Sequence, residues 1–391
     1  MTTNSNVAYG ASTLPSGIRS RFVPNGNGMT MHILEAGYET PGRPCILLLH
    51  GFPELAYSWR KTLLPLAEAG YHVVAPDHRG YGRSDGTDVQ YADDLAPYSM
   101  LNHIRDTLGL VYALGYREVA AVVGHDFGSP IAAWSALTRP DVFQSVVMMT
   151  APFDGAPSFP FGTADQSAAE PAPAGPTIHE QLAALPQPRK HYHWYYATET
   201  ANEDIWHPAQ GIHDFLRAYY HMKSADWPHN HPHPLTAWTG EQLAQLPRYY
   251  VMDLDKNMAE SVAPEMPTPQ QVAACQWLSD EELAVCSSEY GRTGFQGGLQ
   301  GYRVGTHPTL GEELKLFSGR TIDVPSLFIS GVSDWGAHQR PGRLEQMQTK
   351  ACTDMRGVHF VPGAGHWVQQ EQPEAVNQLL LQFLASQDKP A

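Results

Sequence analysis

Short apolar runs punctuate the first part of the chain, and each ends on a turn former or a charged residue. Residues 45–49 (CILLL) and 72–76 (HVVAP) are continuous runs closed by His50-Gly51 and by Asp77. Residues 118–123 and 143–149 read as further buried strands, the first expected to stop at Gly124. Between these runs, 100–114 and 129–137 carry apolar positions at helical spacing. Runs without polar alternation mark strands buried on both faces. The pattern therefore predicts a mostly parallel sheet covered by helices on each side.

After Ala151 the pattern breaks. Residues 154–188 have the Pro, Ala, Gly and Ser content of a loop, and 189–310 hold helical stretches dense in Trp, Tyr and His. Strand character returns at 326–330 and 359–361, and 373–385 reads as a helix with Pro373 in its first turn. The expected organisation is a core built from 1–153 and 319–391, split by a Pro/Ala-rich loop and helical lid over 154–318. No internal repeat is visible.

Composition narrows the function classes. The chain has 391 residues, 42% of them hydrophobic, enough for a sizeable core. No apolar run reaches the roughly 18 residues of a membrane span, and residues 1–30 lack the apolar segment of a secretory signal. A cytoplasmic protein with no membrane span is expected. With 25 basic against 40 acidic residues the net charge is −15, which argues against a nucleic acid partner. Cys45, Cys275, Cys286 and Cys352 show no metal spacing and read as reduced, mostly buried thiols. His229, His231 and His233 alternate among prolines, but without an acidic or Cys partner nearby a solvated loop is the better reading. Neither a metal nor an organic cofactor is expected, and a homodimer is left open.

The residues that suggest chemistry sit at strand ends. Gly124-His125-Asp126-Phe127-Gly128 follows a strand and opens a helix. This is the setting of a nucleophile elbow, in which flanking glycines let the chain turn sharply. Serine usually stands at the centre; here it is Asp126. A carboxylate attacking an ester or amide would give an anhydride, an unfavourable intermediate. Attack on a strained or halogen-bearing sp3 carbon gives an ordinary ester that water can cleave at its carbonyl. The motif thus points to epoxides or carbon–halogen bonds rather than to esterase chemistry. The plainer reading is that Asp126 caps the helix beginning near Ser129.

Further segments weigh against that reading. His50-Gly51-Phe52-Pro53-Glu54 follows the first apolar strand and could aim the Phe52 N–H, together with that of Phe127, at a developing oxyanion. DHRGYGRSD (77–85) follows the next strand but lacks the glycine spacing and lysine of a P-loop, so it reads as a structural loop near the site. Gly363-Ala364-Gly365-His366-Trp367 follows a late strand, and Asp334 lies just after the strand ending at Ser330-Gly331. Nucleophile, acid, histidine is the chain order that goes with such an elbow. One histidine among 19 is more often structural; order and loop placement together single out His366.

HGFPE (50–54), DHRGYGRSD (77–85), GHDFG (124–128), TGFQGGLQGYR (293–303) and GHWVQQEQPEAVN (365–377) together resemble the epoxide hydrolase branch of the α/β-hydrolase superfamily over nearly the whole chain. The resemblance implies the α/β-hydrolase fold with a helical lid, two lid groups that hold the epoxide oxygen, and an alkyl-enzyme ester. Tyr302 falls on the second lid tyrosine. For the first, HYHWYY (191–196) offers two registers, one on Tyr192 and one on His193. In the second register His193-Trp194 also resembles the halide-holding pair of fluoroacetate dehalogenases. The arginines those enzymes carry after the nucleophile are here Phe127 and Pro130, which disfavours a haloacid. The expected reaction is hydrolysis of a small apolar epoxide to a vicinal diol, with Asp126 as nucleophile and His366, oriented by Asp334, activating water. A haloalkane dehalogenase would use the same three residues, but commonly with Trp where Phe127 stands. A non-catalytic binding relative would not need all three.

Overall fold

A computed structural model of the chain describes residues 8–10, 12–159 and 175–387. The middle of the Pro/Ala-rich stretch, 160–174, lies outside the described residues. The apolar runs become the centre of an eight-stranded sheet: β1 (Arg19–Pro24), β2 (Thr30–Ala36), β3 (Cys45–Leu49), β4 (His72–Pro76), β5 (Ala121–His125), β6 (Val146–Met149), β9 (Ser326–Gly331) and β10 (Met355–Val361). Their spatial order is β1-β2-β4-β3-β5-β6-β9-β10. β3 to β6, β9 and β10 run parallel to one another, and β2 runs against both β1 and β4.

β3 and β5 are buried along their whole length because both faces are covered. Ile46 and Leu48 pack on one side with Trp59 and Leu63. Leu47 and Leu49 pack on the other with Ile131 and Ala132 from the helix Gly128–Thr138. The predicted helix at 100–114 is Met100–Ala113, with the Ser99 side chain accepting from the Asn102 N–H as its cap. That at 373–385 is Pro373–Gln387.

Between β6 and β9 lies the helical insertion. It also holds a small antiparallel pair, β7 (Arg189–His191) with β8 (Val251–Asp253), where no strand was expected. β5 does not stop at Gly124 but runs through it to His125. The helix Gln296–Thr306 brings the insertion against the core. Its Gly297 meets Gly80 backbone to backbone: a Cβ on Gly297 would lie 2.2 Å from the Gly80 carbonyl oxygen. That approach explains why glycine stands on both sides of the contact. Tyr220 and Tyr290 add bonds across the same boundary, their hydroxyls donating to the carbonyls of Pro53 and Glu54, each at 2.9 Å.

All four cysteines are free thiols, three buried and Cys275 half-buried. His229, His231 and His233 are exposed; His233 lies 2.8 Å from the Gln245 carboxamide oxygen. Among the described residues, no helix is long and apolar enough to cross a membrane.

Gly297→Val should push the insertion off the core. It is expected to lower stability by about 1–3 kcal/mol, as overpacking does elsewhere, read as an earlier urea midpoint. A midpoint unchanged from the parent would mean that the Gly80–Gly297 contact yields without cost.

Candidate active site

The turn between β5 and the helix Gly128–Thr138 is sharp enough to dictate its own sequence. A Cβ on Gly124 would lie 2.0 Å from the Gly128 carbonyl oxygen, and one on Gly128 would lie 2.2 Å from that of Leu49. Asp126 sits at the apex with φ +49°, a left-handed conformation unusual for a residue with a side chain. Its side chain does not cap the helix. Oδ1 instead accepts from the Phe52 N–H at 3.0 Å, and Oδ2 lies 3.2 Å from His366 Nε2. Gly51 makes the first contact feasible, since a Cβ there would sit 2.4 Å from the Asp126 Cβ.

His366 Nδ1 lies 3.1 Å from Asp334 Oδ1. The Ser330 hydroxyl and the Gly336 N–H donate to Asp334 at 3.0 and 2.8 Å, fixing the carboxylate that faces the imidazole. The other ring nitrogen, His366 Nε2, faces the second oxygen of Asp126. The predicted trio therefore converges from three loops. Burial by itself would raise the pKa of Asp126, but nearby His366, then Lys223 and His125, hold the carboxyl well below its ordinary value. The same contest, won by His366, keeps Asp334 low.

Asp126, Phe127, Tyr192, His193 and Tyr302 line one cavity of about 260 Å³. Tyr302 and Tyr192 are edge to face with ring centres 6.0 Å apart, and His193 is 5.4 Å from Tyr302. His193 Nε2 lies 2.8 Å from the Tyr192 hydroxyl, which also reaches Gln339 at 3.3 Å. Burial, then the charges of Arg340 and Arg343, push His193 down to about 3, so its imidazole is neutral at ordinary pH. Phe127 begins the helix; its ring meets His103 edge-on at 5.5 Å.

Two buried groups were not singled out from the sequence. Glu54, in the turn that carries Phe52, is fully buried. Its carboxylate accepts from the Gly51 N–H, Gln369 and Gln370 at 3.0, 2.9 and 3.1 Å, and lies 2.5 Å from His125 Nδ1. Burial opposes both charges, yet mutual attraction prevails, lowering Glu54 and raising His125 from their ordinary values. His125 Nε2 in turn lies 2.7 Å from the His366 carbonyl oxygen. Lys223, 2% exposed, sits among the rings of Tyr219, Tyr250 and Trp367, each 5.2 Å from its ammonium. Its carbonyl accepts the His366 N–H at 2.8 Å. Only the place of Glu54 inside HGFPE hinted at a role; a lone lysine carries no such signal.

A sharp elbow above a parallel sheet, with an acid and a histidine delivered from later strands, defines the α/β hydrolases, and residues 44–373 match the model of the alpha/beta hydrolase fold family. Within that class the chain belongs to the epoxide hydrolase branch and is a hydrolase of that family. It is 32% identical over 362 residues to epoxide hydrolase A of Mycobacterium tuberculosis, spanning 92% of this chain and 95% of the relative. An epoxide hydrolase of Caballeronia sordidicola is 30% identical over 363 residues, 93% of this chain and 92% of its own. Among solved structures, an epoxide hydrolase from an endophytic Streptomyces superposes with TM-score 0.74 at 32% identity, covering 95% of this chain and 96% of that one. Potato (Solanum tuberosum) epoxide hydrolase I gives 0.69 at 27%, covering 94% and 99%.

Glu54→Ala would strand a buried imidazole and two carboxamides. It is expected to cost about 3–5 kcal/mol, the range for breaking a buried pair from one side, measured by chemical denaturation. A loss within the range of surface pairs, under about 1 kcal/mol, would show that these loops hold without it.

Proposed function

We propose that the protein hydrolyses an epoxide to a vicinal diol through a covalent ester on Asp126. The observation that carries this reading is the disposition of one carboxylate. Asp126 Oδ1 is engaged by the Phe52 N–H, Oδ2 lies beside His366 Nε2, and the residue lines a cavity together with Tyr192 and Tyr302. In the first step Oδ2 attacks a ring carbon and the carbon–oxygen bond breaks. The departing oxygen takes a proton from a lid tyrosine, so preorganised donors meet the charge as it develops. Asp126 suits this role because its neighbours keep it ionised.

In the second step His366 Nε2 removes a proton from water, which attacks the ester carbonyl. Asp334 stabilises the imidazolium so formed. The Phe52 and Phe127 N–H groups receive the oxyanion on Oδ1. Its collapse breaks the ester bond, and the imidazolium gives its proton to the departing alkoxide to form the diol. The proton of the regenerated carboxyl returns to the lid tyrosinate, restoring the carboxylate. The first lid donor is Tyr192 in this reading. Its hydroxyl is bonded to the neutral His193, which acts through it. The hydrolase core is residues 1–153 with 319–391, and the lid is 154–318. Phe127, in the place where a haloalkane dehalogenase commonly carries Trp, lacks an N–H in its side chain to hold halide.

Two experiments test this. His366→Gln should leave the alkylation step and stall the second. Mass spectrometry after incubation with a substrate epoxide should find an adduct of the epoxide's mass on the peptide bearing Asp126, absent in Asp126→Ala. Turnover by Asp126→Ala, or single-turnover diol labelled from heavy-oxygen water, would refute the covalent route.

Tyr302→Phe and Tyr192→Phe should each slow ring opening by about 10²-fold, the scale for one lost oxyanion donor, in pre-steady-state kinetics. His193→Phe should slow it less than Tyr192→Phe. The reverse ranking would assign His193 as the donor.

A further inference from the structure

The lining of the Asp126 cavity carries more positive charge than an apolar epoxide requires. Arg340 and Arg343 line the same cavity as Asp126. They also line an adjoining outer cavity of about 620 Å³, and Phe127, Pro130, Ala151 and Gly301 border both spaces as a mostly apolar passage. One carboxylate serves the two guanidiniums: Asp154 lies 2.9 Å from Arg343 Nε. Arg340 has no ion-pair partner among the described residues. Its guanidinium lies 5.1 Å from the ring centre of Trp238, which keeps a planar face turned to it. The imidazoles alongside do not compensate: burial first, and then neighbouring positive groups, hold both His191 and His193 below their ordinary values.

This arrangement stands out on a chain of net charge −15. An acidic surface repels anions, so a cationic rim at the mouth of the site is where a negatively charged substrate would be gathered in. Opening of a neutral oxirane is served by donors at the ring oxygen, the place Tyr192 and Tyr302 take in the reading above, and calls for no guanidinium at the cavity mouth. A guanidinium with its fork free is suited to a carboxylate, which it can meet with two parallel N–H···O bonds. Resting on the hydrolysis proposed above, we propose that the preferred substrate is an epoxide bearing a carboxylate: Arg340 binds the carboxylate at the junction of the two cavities, Arg343 reinforces it, and the apolar passage takes the carbon chain that leads to the oxirane at Asp126.

The test is a homologous series of terminal-epoxy carboxylates paired with their primary amides, assayed by diol formation. For at least one chain length the acid should exceed its amide in kcat/KM by about tenfold or more, an advantage that shrinks as salt is raised. Arg340→Gln should collapse the acid-to-amide ratio towards one, and Arg340→Lys should restore part of it. Because Arg340 is exposed at the cavity mouth, these variants are expected to fold. Acids no better than amides at every length, or an unchanged ratio in Arg340→Gln, would overturn the carboxylate site while leaving epoxide hydrolysis standing. No diol from either member of any pair would overturn the hydrolysis and this inference with it.

Discussion

Glu54 keeps its carboxylate out of water while three separate loops lean on it. It holds its own turn through the Gly51 N–H, the end of β5 through His125, and the segment after His366 through Gln369 and Gln370. A buried charge is tolerable only when its partners are complete, because each missing bond leaves a desolvated group uncompensated. Completeness requires all three loops at once. Phe52, Asp126 and His366 ride on those same loops, so the register of the site follows from satisfying one carboxylate. His125 carries the constraint onward, since its far nitrogen meets the His366 carbonyl oxygen.

The lid is bound to the same centre. Tyr220 and Tyr290 donate to the backbone of the Phe52 turn. Arg60 joins core to lid through Glu282 and the Trp277 carbonyl, at 2.7 and 3.1 Å, and reaches Gln370 at 2.7 Å. Glu371 accepts from the Gly365 and Trp367 N–H groups on either side of His366 and from the lid residue Ala225. The lid therefore fixes the histidine loop as well as roofing the cavity. Loss of a lid contact should act on the histidine as much as on the tyrosines.

How much of this could be read from the chain depended on whether one side chain or several carried the signal. β3 and β4 were legible to the residue because both faces meet apolar partners. β2 was not, since its buried positions include His32 and Glu35. These are satisfied by Asp77 and by Arg19, Arg21 and His72, partners that no local pattern reveals. The helix Arg60–Glu68 was hidden by its internal Pro65. The convergence of Asp126, Asp334 and His366 was legible because turn chemistry and chain order pointed to them together. Lys223 and the role of Glu54 were not, because burial of a charge is a property of the assembled fold. The choice between Tyr192 and His193 was likewise beyond a sequence, as both side chains reach the same space.

The elbow itself shows why these supports are needed. Asp126 combines a left-handed backbone with a carboxylate withdrawn from water, and each is unfavourable in isolation. The turn that holds it is closed so tightly that neither Gly124 nor Gly128 has room for a side chain against the carbonyls behind it. The charge is then held by the Phe52 N–H on one oxygen and by the nearness of His366 to the other. Lys223 adds a favourable charge, caged by rings that lower the cost of burying its ammonium, with no carboxylate paired to it among the described residues. A carboxylate satisfied by a full set of hydrogen bonds would be stable and inert. With Oδ2 facing only the His366 imidazole, this one is kept ionised and oriented yet short of partners, which is the condition the proposed nucleophile requires.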